Sequence, residues 1–313
     1  MTFGTEGYLY FHRTGRYVMN GDELIERHRE GGSFAEVDGL KIFYRCAGPE
    51  NGVPLVLTHG IPRSSFLYRM MIPILAQHYP VRAWDLYGFG LSDKPRDKRR
   101  YYFPEFERFF GKFLDTLGID RAHLICHDVG GPFTIGWAVR NAHRVTSLTI
   151  LNTTVFLHGF RIPPPVLASI ILPISLQRTI ISDKRFADLI LRYIRRKALL
   201  NPEALNGAEG DAFKQLLTRE DGRWTLARTV KSYRVVLPYL TGIQRALSDF
   251  NRPTLILWGR HDPFCTIPIA WSFHRAIPGA ELYVVSNACH FLQEDAPEET
   301  SEVIIDFIKR KAA

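Results

Sequence analysis

No apolar run in this sequence is long enough to span a bilayer. The longest, at 166–176, falls short of the ~20 residues a membrane helix needs and is interrupted by Pro173. The first 20 residues carry charges and glycine throughout and lack the apolar stretch of a secretory signal. Cysteine is scarce: the 313 residues hold four, Cys46, Cys126, Cys265 and Cys289. Their spacing fits neither a metal site nor a disulfide framework, which predicts a reducing, cytoplasmic setting and small packing residues rather than redox groups. There is no internal repeat, no low-complexity tract, and no recognition-helix or RNP pattern of a nucleic-acid module. The net charge of +8 is concentrated at 94–100 and 192–197. It reads as a solvated basic face, with peripheral contact to an anionic membrane as the alternative, because the apolar 163–176 segment lies nearby.

What is present is a rhythm of strands and helices. Strands are expected at about 54–58, 81–86, 122–126 and 146–152, alternating with helices at about 64–77, 104–117 and 131–141. That alternation predicts a mostly parallel sheet with helices on both faces. Residues 34–46, split by Asp38-Gly39, read as an entry hairpin. The rhythm breaks after Asn152: helical periods at 166–179, 184–200, 211–217 and 225–236 occur without a strand, and alternation resumes at Pro253. The expected organisation is an N-terminal extension at 1–32 with one short helix near 21–29, a core at 33–152 and 251–313, and a helical lid at 153–250 that shapes a substrate pocket.

The chemistry is concentrated at strand ends. Leu124-Ile125-Cys126-His127-Asp128-Val129-Gly130-Gly131 runs an apolar strand into small residues and then a helical pattern, with an acid at the apex. This is the pattern of a nucleophile elbow, in which the backbone folds back so tightly that its flanks must be small, here Cys126, Gly130 and Gly131. Serine is usual at its centre. A carboxylate, with an ordinary pKa of ~4, is already ionised at neutral pH, so Asp128 predicts attack on a carbon that bears a leaving group. His290 follows the strand at 281–285, and Asp262 follows the strand at 254–259. The order nucleophile, acid, histidine is that of α/β-hydrolases. His59-Gly60-Ile61-Pro62 follows the strand at 55–58 and is expected to bring the Ile61 NH beside the Val129 NH as an oxyanion hole. His59 and His127 read as structural hydrogen-bonders, and Asp85 as the organiser of its own loop.

With His-Gly-Ile-Pro at 59–62, Asp85-Leu86-Tyr87-Gly88-Phe89-Gly90-Leu91-Ser92-Asp93-Lys94-Pro95, the His-Asp-Val-Gly-Gly elbow and Cys289-His290-Phe291 in order, the chain resembles the epoxide hydrolase and haloalkane dehalogenase branch of the α/β-hydrolases over roughly 35–310. The resemblance implies a covalent alkyl ester on Asp128, hydrolysed by water that His290 activates, with a small-molecule substrate and no cofactor or metal. Dehalogenases of this kind usually carry Trp after the nucleophile and often Asn after His-Gly. This chain has Val129 and Ile61, whose side chains donate no hydrogen bond. Trp224 is the one lid tryptophan that could substitute. Epoxide hydrolases use two lid tyrosines to protonate the leaving oxygen, and Ser232-Tyr233-Arg234 resembles the segment that carries one of them. Tyr233 is thus the first candidate, with Tyr193 and Tyr239 as the others. An epoxide is favoured over an alkyl halide. A β-lactone decarboxylase-like enzyme, which 151–156 resembles, and a non-catalytic ligand-binding scaffold remain as alternatives.

Overall fold

The computed structural model describes residues 10–12, 15–17 and 19–311, and the first part of the N-terminal extension lies outside them. Two short strands, β1 (Tyr10–His12) and β2 (Gly15–Tyr17), pair antiparallel. The eight strands that follow form one sheet: β3 (Gly32–Val37), β4 (Leu40–Ala47), β5 (Leu55–Thr58), β6 (Val81–Trp84), β7 (Ala122–His127), β8 (Val145–Leu151), β9 (Thr254–Gly259) and β10 (Glu281–Val285). Their spatial order is β10-β9-β8-β7-β5-β6-β4-β3. The β3–β4 hairpin and its junction to β6 are antiparallel, and all other pairings in this sheet are parallel.

Strands buried on both faces need apolar residues at successive positions, each set facing its own layer. Val56, Leu124, Ile150, Ile256 and Trp258 pack in the layer of the helices Phe103–Thr116, Gly130–Arg140 and Ile267–Ala276. Their neighbours Leu55, Leu57, Ile125, Leu255 and Leu257 pack in the opposite layer with Ile72 and Leu75 and with Ile304, Phe307 and Ile308 of Pro297–Lys311. Trp84 anchors the first layer, stacked on Phe113 with ring centroids 4.8 Å apart.

The chain passes from β5 to β6 on one side and then crosses to β7 on the other. The carboxyl ends of β5 and β7 therefore flank the switch point where an open sheet leaves a crevice. The loop at 59–62 and the turn at Asp128 both start there.

Between β8 and β9 the described residues form helices and no strand, apart from an isolated bridge between Phe160 and Cys265. The expected helix at 166–179 is two helices, Pro164–Ile171 and Ile174–Ser182, because Pro173 cannot continue the first. The helix Leu237–Ala246 was not expected; Pro238 in its first turn and Gly242 within it blur the period. The segment expected as one helix at 64–77 is a 3-10 turn, Ser65–Tyr68, and a single α turn, Ile72–Leu75. The helix Gly21–Glu30 opens on a reciprocal cap: Asn20 accepts from the Glu23 NH at 3.0 Å, and the Glu23 carboxylate accepts from the Asn20 NH at 2.8 Å. Its buried Leu24 and Ile25 pack with Phe66 of the core and with Ala212 and Leu216 of the insertion, tying the two together. Among the described residues no helix is long and apolar enough to cross a membrane.

Candidate active site

Asp128 has φ +48°, the strained backbone an elbow demands of a residue that carries a side chain. Its carbonyl accepts from the Gly131 NH at 2.9 Å and from the Thr153 hydroxyl at 2.5 Å. Close approach explains two glycines. A Cβ on Gly60 would lie 2.4 Å from the Asp128 side chain, and one on Gly131 would lie 2.0 Å from Thr153 Oγ1.

The Asp128 carboxylate is held asymmetrically. Oδ2 accepts from the Ile61 NH at 2.8 Å, and the Val129 NH also binds the carboxylate. Oδ1 faces His290 Nε2 at 3.8 Å, beyond hydrogen-bond range. Burial raises the Asp128 pKa above the usual carboxylate value, against the opposing effects of His290 and the two NH groups.

His290 Nδ1 lies 2.8 Å from Asp262 Oδ2, so Nδ1 carries a proton that it donates to Asp262, and Nε2 faces Asp128. Burial draws the imidazole pKa down, but the carboxylates of Asp262 and Asp128 outweigh it and the net shift is upward. The ring is packed edge-on against Phe264 and Phe291, with centroids 5.3 and 4.8 Å away.

Asp262 is saturated with donors. Besides His290 it accepts from the NH groups of Phe264 (2.7 Å) and Cys265 (3.0 Å) through Oδ1, and from Asn152 Nδ2 (2.6 Å) through Oδ2. Asn152 was not singled out from the sequence. It stands at the carboxyl end of β8 with φ +25°, accepts from the buried Gly259 NH at 2.8 Å, and its carbonyl takes the Asp128 NH at 3.2 Å. The available signal was a polar residue ending an otherwise apolar strand beside the elbow.

The supporting residues behave as simple packers and hydrogen-bonders. His59 donates from Nδ1 to the Gly60 carbonyl at 2.7 Å and accepts the Leu86 NH on Nε2 at 3.0 Å; burial lowers its pKa to about 4. His127 Nε2 donates to the His290 carbonyl at 2.9 Å. Asp85 bridges the NH groups of Ser65 and Leu91 at 2.6 and 2.7 Å. All four cysteines are free, and burial pushes the Cys289 thiol up to about 12, which argues against thiolate chemistry.

A cavity of about 390 Å³ lies between the strand ends and the helical insertion, a size suited to a small-molecule ligand. Among the described residues its polar side chains are Asp128, His290, Tyr193 and Tyr233, and the others that line it are apolar. Tyr233 is enclosed by protein and lies near enough to Asp128 for the carboxylate to add to the effect of burial, and both raise its pKa far above that of a free phenol. Tyr193 stacks on Phe264. The other two candidates stand elsewhere. The Tyr239 hydroxyl donates to Glu107 at 2.6 Å, drawn there by the core helix Phe103–Thr116. Trp224 packs edge-on against Tyr101 with Arg228 over its ring, and neither residue lines the cavity.

The family model described as the alpha/beta hydrolase fold matches residues 53–297. The chain belongs to the α/β-hydrolase family. It is an enzyme of that family, a hydrolase, and its relatives divide by substrate. It is 30% identical over 261 residues to haloalkane dehalogenase 2 of Mycobacterium tuberculosis, covering 82% of this chain and 87% of that one. It is 27% identical over 284 residues to epoxide hydrolase 3 of Xenopus tropicalis, covering 87% and 75%. It is also 27% identical over 303 residues to the cis-3-alkyl-4-alkyloxetan-2-one decarboxylase of Xanthomonas campestris, covering 87% and 93%.

Proposed function

We propose that this α/β-hydrolase is a cytoplasmic epoxide hydrolase acting on a small or medium apolar epoxide, with Asp128 as nucleophile, His290 as base and Asp262 as its partner. The observation that carries the choice of substrate is the set of donors in the cavity. Beside the Asp128–His290 pair, its polar side chains among the described residues are two phenols, Tyr193 and Tyr233. The side chains of Ile61 and Val129 cannot donate, and Trp224 packs away from the cavity, so among the described residues no indole or amide side chain lines the cavity to hold a departing halide.

The asymmetry at Asp128 divides the task between its two oxygens. The Ile61 NH draws charge onto Oδ2, the Val129 NH binds the same carboxylate, and Oδ1 on the His290 side is left to attack the epoxide carbon. The C–O bond of the ring breaks, and the nascent alkoxide takes a proton from Tyr233, assisted by Tyr193. In the resulting ester Oδ2 is the carbonyl oxygen and already lies in the oxyanion hole. Water then loses a proton to His290 Nε2 and attacks the ester carbon, and the negative charge collects on Oδ2. Collapse breaks the bond to the substrate oxygen, which takes the proton of the added hydroxyl and leaves as the diol while Asp128 is restored as a carboxylate. The proton taken from water returns to the tyrosinate. The helical insertion acts as a lid that keeps bulk water from the ester.

Ester formation also prepares the base. While Asp128 is ionised its charge helps to raise the His290 pKa. Esterification removes that charge, so the imidazole becomes easier to deprotonate at the step that needs it neutral.

His290→Gln tests the reading. After exposure to an epoxide, intact-mass analysis should find a stable adduct that maps to the Asp128 peptide, and the parent enzyme should release diol. An adduct formed only from bromoalkanes would move the assignment to dehalogenation, CO2 release from a β-lactone would move it to decarboxylation, and no adduct with any of these would refute the ester mechanism.

A further inference from the structure

The two basic clusters have different fates. That at 94–100 is mostly satisfied within the protein, with Lys98 alone of its five cations exposed and without an acidic partner among the described residues. Lys94 is buried and donates to the carbonyls of Gly90 and Ser92 at 3.0 and 2.8 Å, Arg96 pairs with Asp221 at 2.7 Å, Arg99 with Asp97 at 2.9 Å, and Arg100 with Asp38 at 3.2 Å. The cluster in the insertion is not. Lys184, Arg192, Arg196 and Lys197 are exposed and have no acidic partner among the described residues. Residues 153–200 hold eight lysines and arginines against two aspartates, so this one segment carries six of the net eight positive charges.

The same segment exposes large aliphatic side chains. Ile171 is 65% exposed, and Leu167, Leu176, Ile180 and Leu189 are also exposed. Arg234 donates to the carbonyls of Ile170 and Ile171, which sets a cation beside the most exposed of them, and Val235 next to it is 60% exposed. On the helix Phe186–Lys197, Leu189, Arg192 and Arg196 follow one another at spacings of three and four and share a stripe. Ile162, Ile180 and Leu189 are at once exposed and part of the cavity lining, so the mouth of the cavity opens within this face.

We propose that this face docks on an anionic lipid bilayer and seats the cavity mouth against the membrane, so that an apolar substrate enters from lipid rather than from water. A bilayer offers hydrocarbon and negative charge together, which is the complement of aliphatic side chains set among unpaired cations. A second copy of the chain does not: a two-fold contact would set this charge against itself. The inference stands on the face and the mouth, and does not require that the substrate be an epoxide.

The test is co-sedimentation of the full chain with vesicles of phosphatidylcholine alone or with added phosphatidylglycerol. Binding should be strong to the anionic vesicles at low salt and should fall at least about tenfold in neutral vesicles or when salt is raised to about 0.5 M. Two variants that lie outside the cavity lining should weaken it independently: Ile171→Asp with Leu176→Asp by about tenfold, and Lys184→Glu with Arg192→Glu and Arg196→Glu by about a hundredfold. Unchanged melting would show that both remain folded, and unchanged turnover of a water-dissolved substrate would show that the site is intact. Failure of the parent to bind anionic vesicles at low salt would overturn the proposal, as would equal binding by both variants. A concentration-dependent dimer that either variant abolishes would assign the face to a second copy instead.

Discussion

Replacing Asn152 by alanine removes three things that can be counted from the structure. Asp262 loses a 2.6 Å charge-assisted hydrogen bond, one of four donors on its carboxylate. Such bonds contribute about 1.5–3 kcal/mol. The buried Gly259 NH loses its acceptor at 2.8 Å, which costs about 1–3 kcal/mol if nothing replaces it. A φ of +25° that asparagine tolerates costs alanine about 1 kcal/mol. Allowing for relaxation and entry of a water, we expect a net loss of about 3–5 kcal/mol. At about 2 °C per kcal/mol for a chain of this size, that is a fall in Tm of about 5–10 °C. Because Asn152 acts through Asp262, the loss of imidazole alignment should appear chiefly in hydrolysis of the ester. In single-turnover experiments that step should slow by about 10²-fold while alkylation of Asp128 changes by less than about threefold. Thermal melting and rapid-quench mass spectrometry read the two effects separately. A variant that melts within 1 °C of the parent, or one in which alkylation slows as much as hydrolysis, would refute the reasoning.

Further predictions separate the tyrosines, the base and a buried ion cluster. Tyr233→Phe should slow epoxide opening by about 10²–10³-fold in a pre-steady-state assay, whereas Tyr239→Phe, which loses only its bond to Glu107, should leave turnover within about threefold and lower stability by about 1 kcal/mol. The resting pKa of His290, read by NMR titration of the free enzyme, should lie above the ordinary imidazole value. The acid limb of kcat, set by the ester intermediate that lacks the Asp128 charge, should fall at a lower pH, and coincidence of the two would contradict the proposed timing. Glu294→Ala should cost about 3–5 kcal/mol by chemical denaturation, because it removes the buried carboxylate that Arg63 and Arg69 share.

The parts of the site that were legible in the sequence are those whose local geometry restricts residue type. A turn that folds back at φ +48° admits few residues around Asp128, and strand ends mark His290 and Asp262 because apolar runs stop there. Alternating helix and strand periods likewise sufficed for the sheet. Asn152 was missed because a single amide at the end of a strand has no period, and its meaning comes from Asp262, 110 residues away. The tyrosines show a different limit. Spacing puts Tyr193, Tyr233 and Tyr239 on helices, but which face meets the cavity is decided by packing between helices, and there Glu107 claims the hydroxyl of Tyr239. The break at Pro173 was visible as a residue and was underweighted against a strong apolar period.

The ion cluster around Glu294 bears on the order in which the chain can mature. Arg69 meets both oxygens of Glu294 at 2.8 Å, Arg63 binds the same carboxylate, and all three side chains are almost wholly removed from water. Two cations in the loop and turn after β5 therefore have their counter-charge on a residue 231 and 225 positions further along the chain. On a ribosome, the loop that follows β5 would wait until every strand of the sheet had been made before it could settle dry. Until then Arg63 and Arg69 favour a hydrated, open arrangement, which keeps the half-made enzyme from closing around an incomplete site. A nascent chain stalled before Glu294 should remain protease-sensitive at 59–70 even where β5, β6 and β7 have already paired.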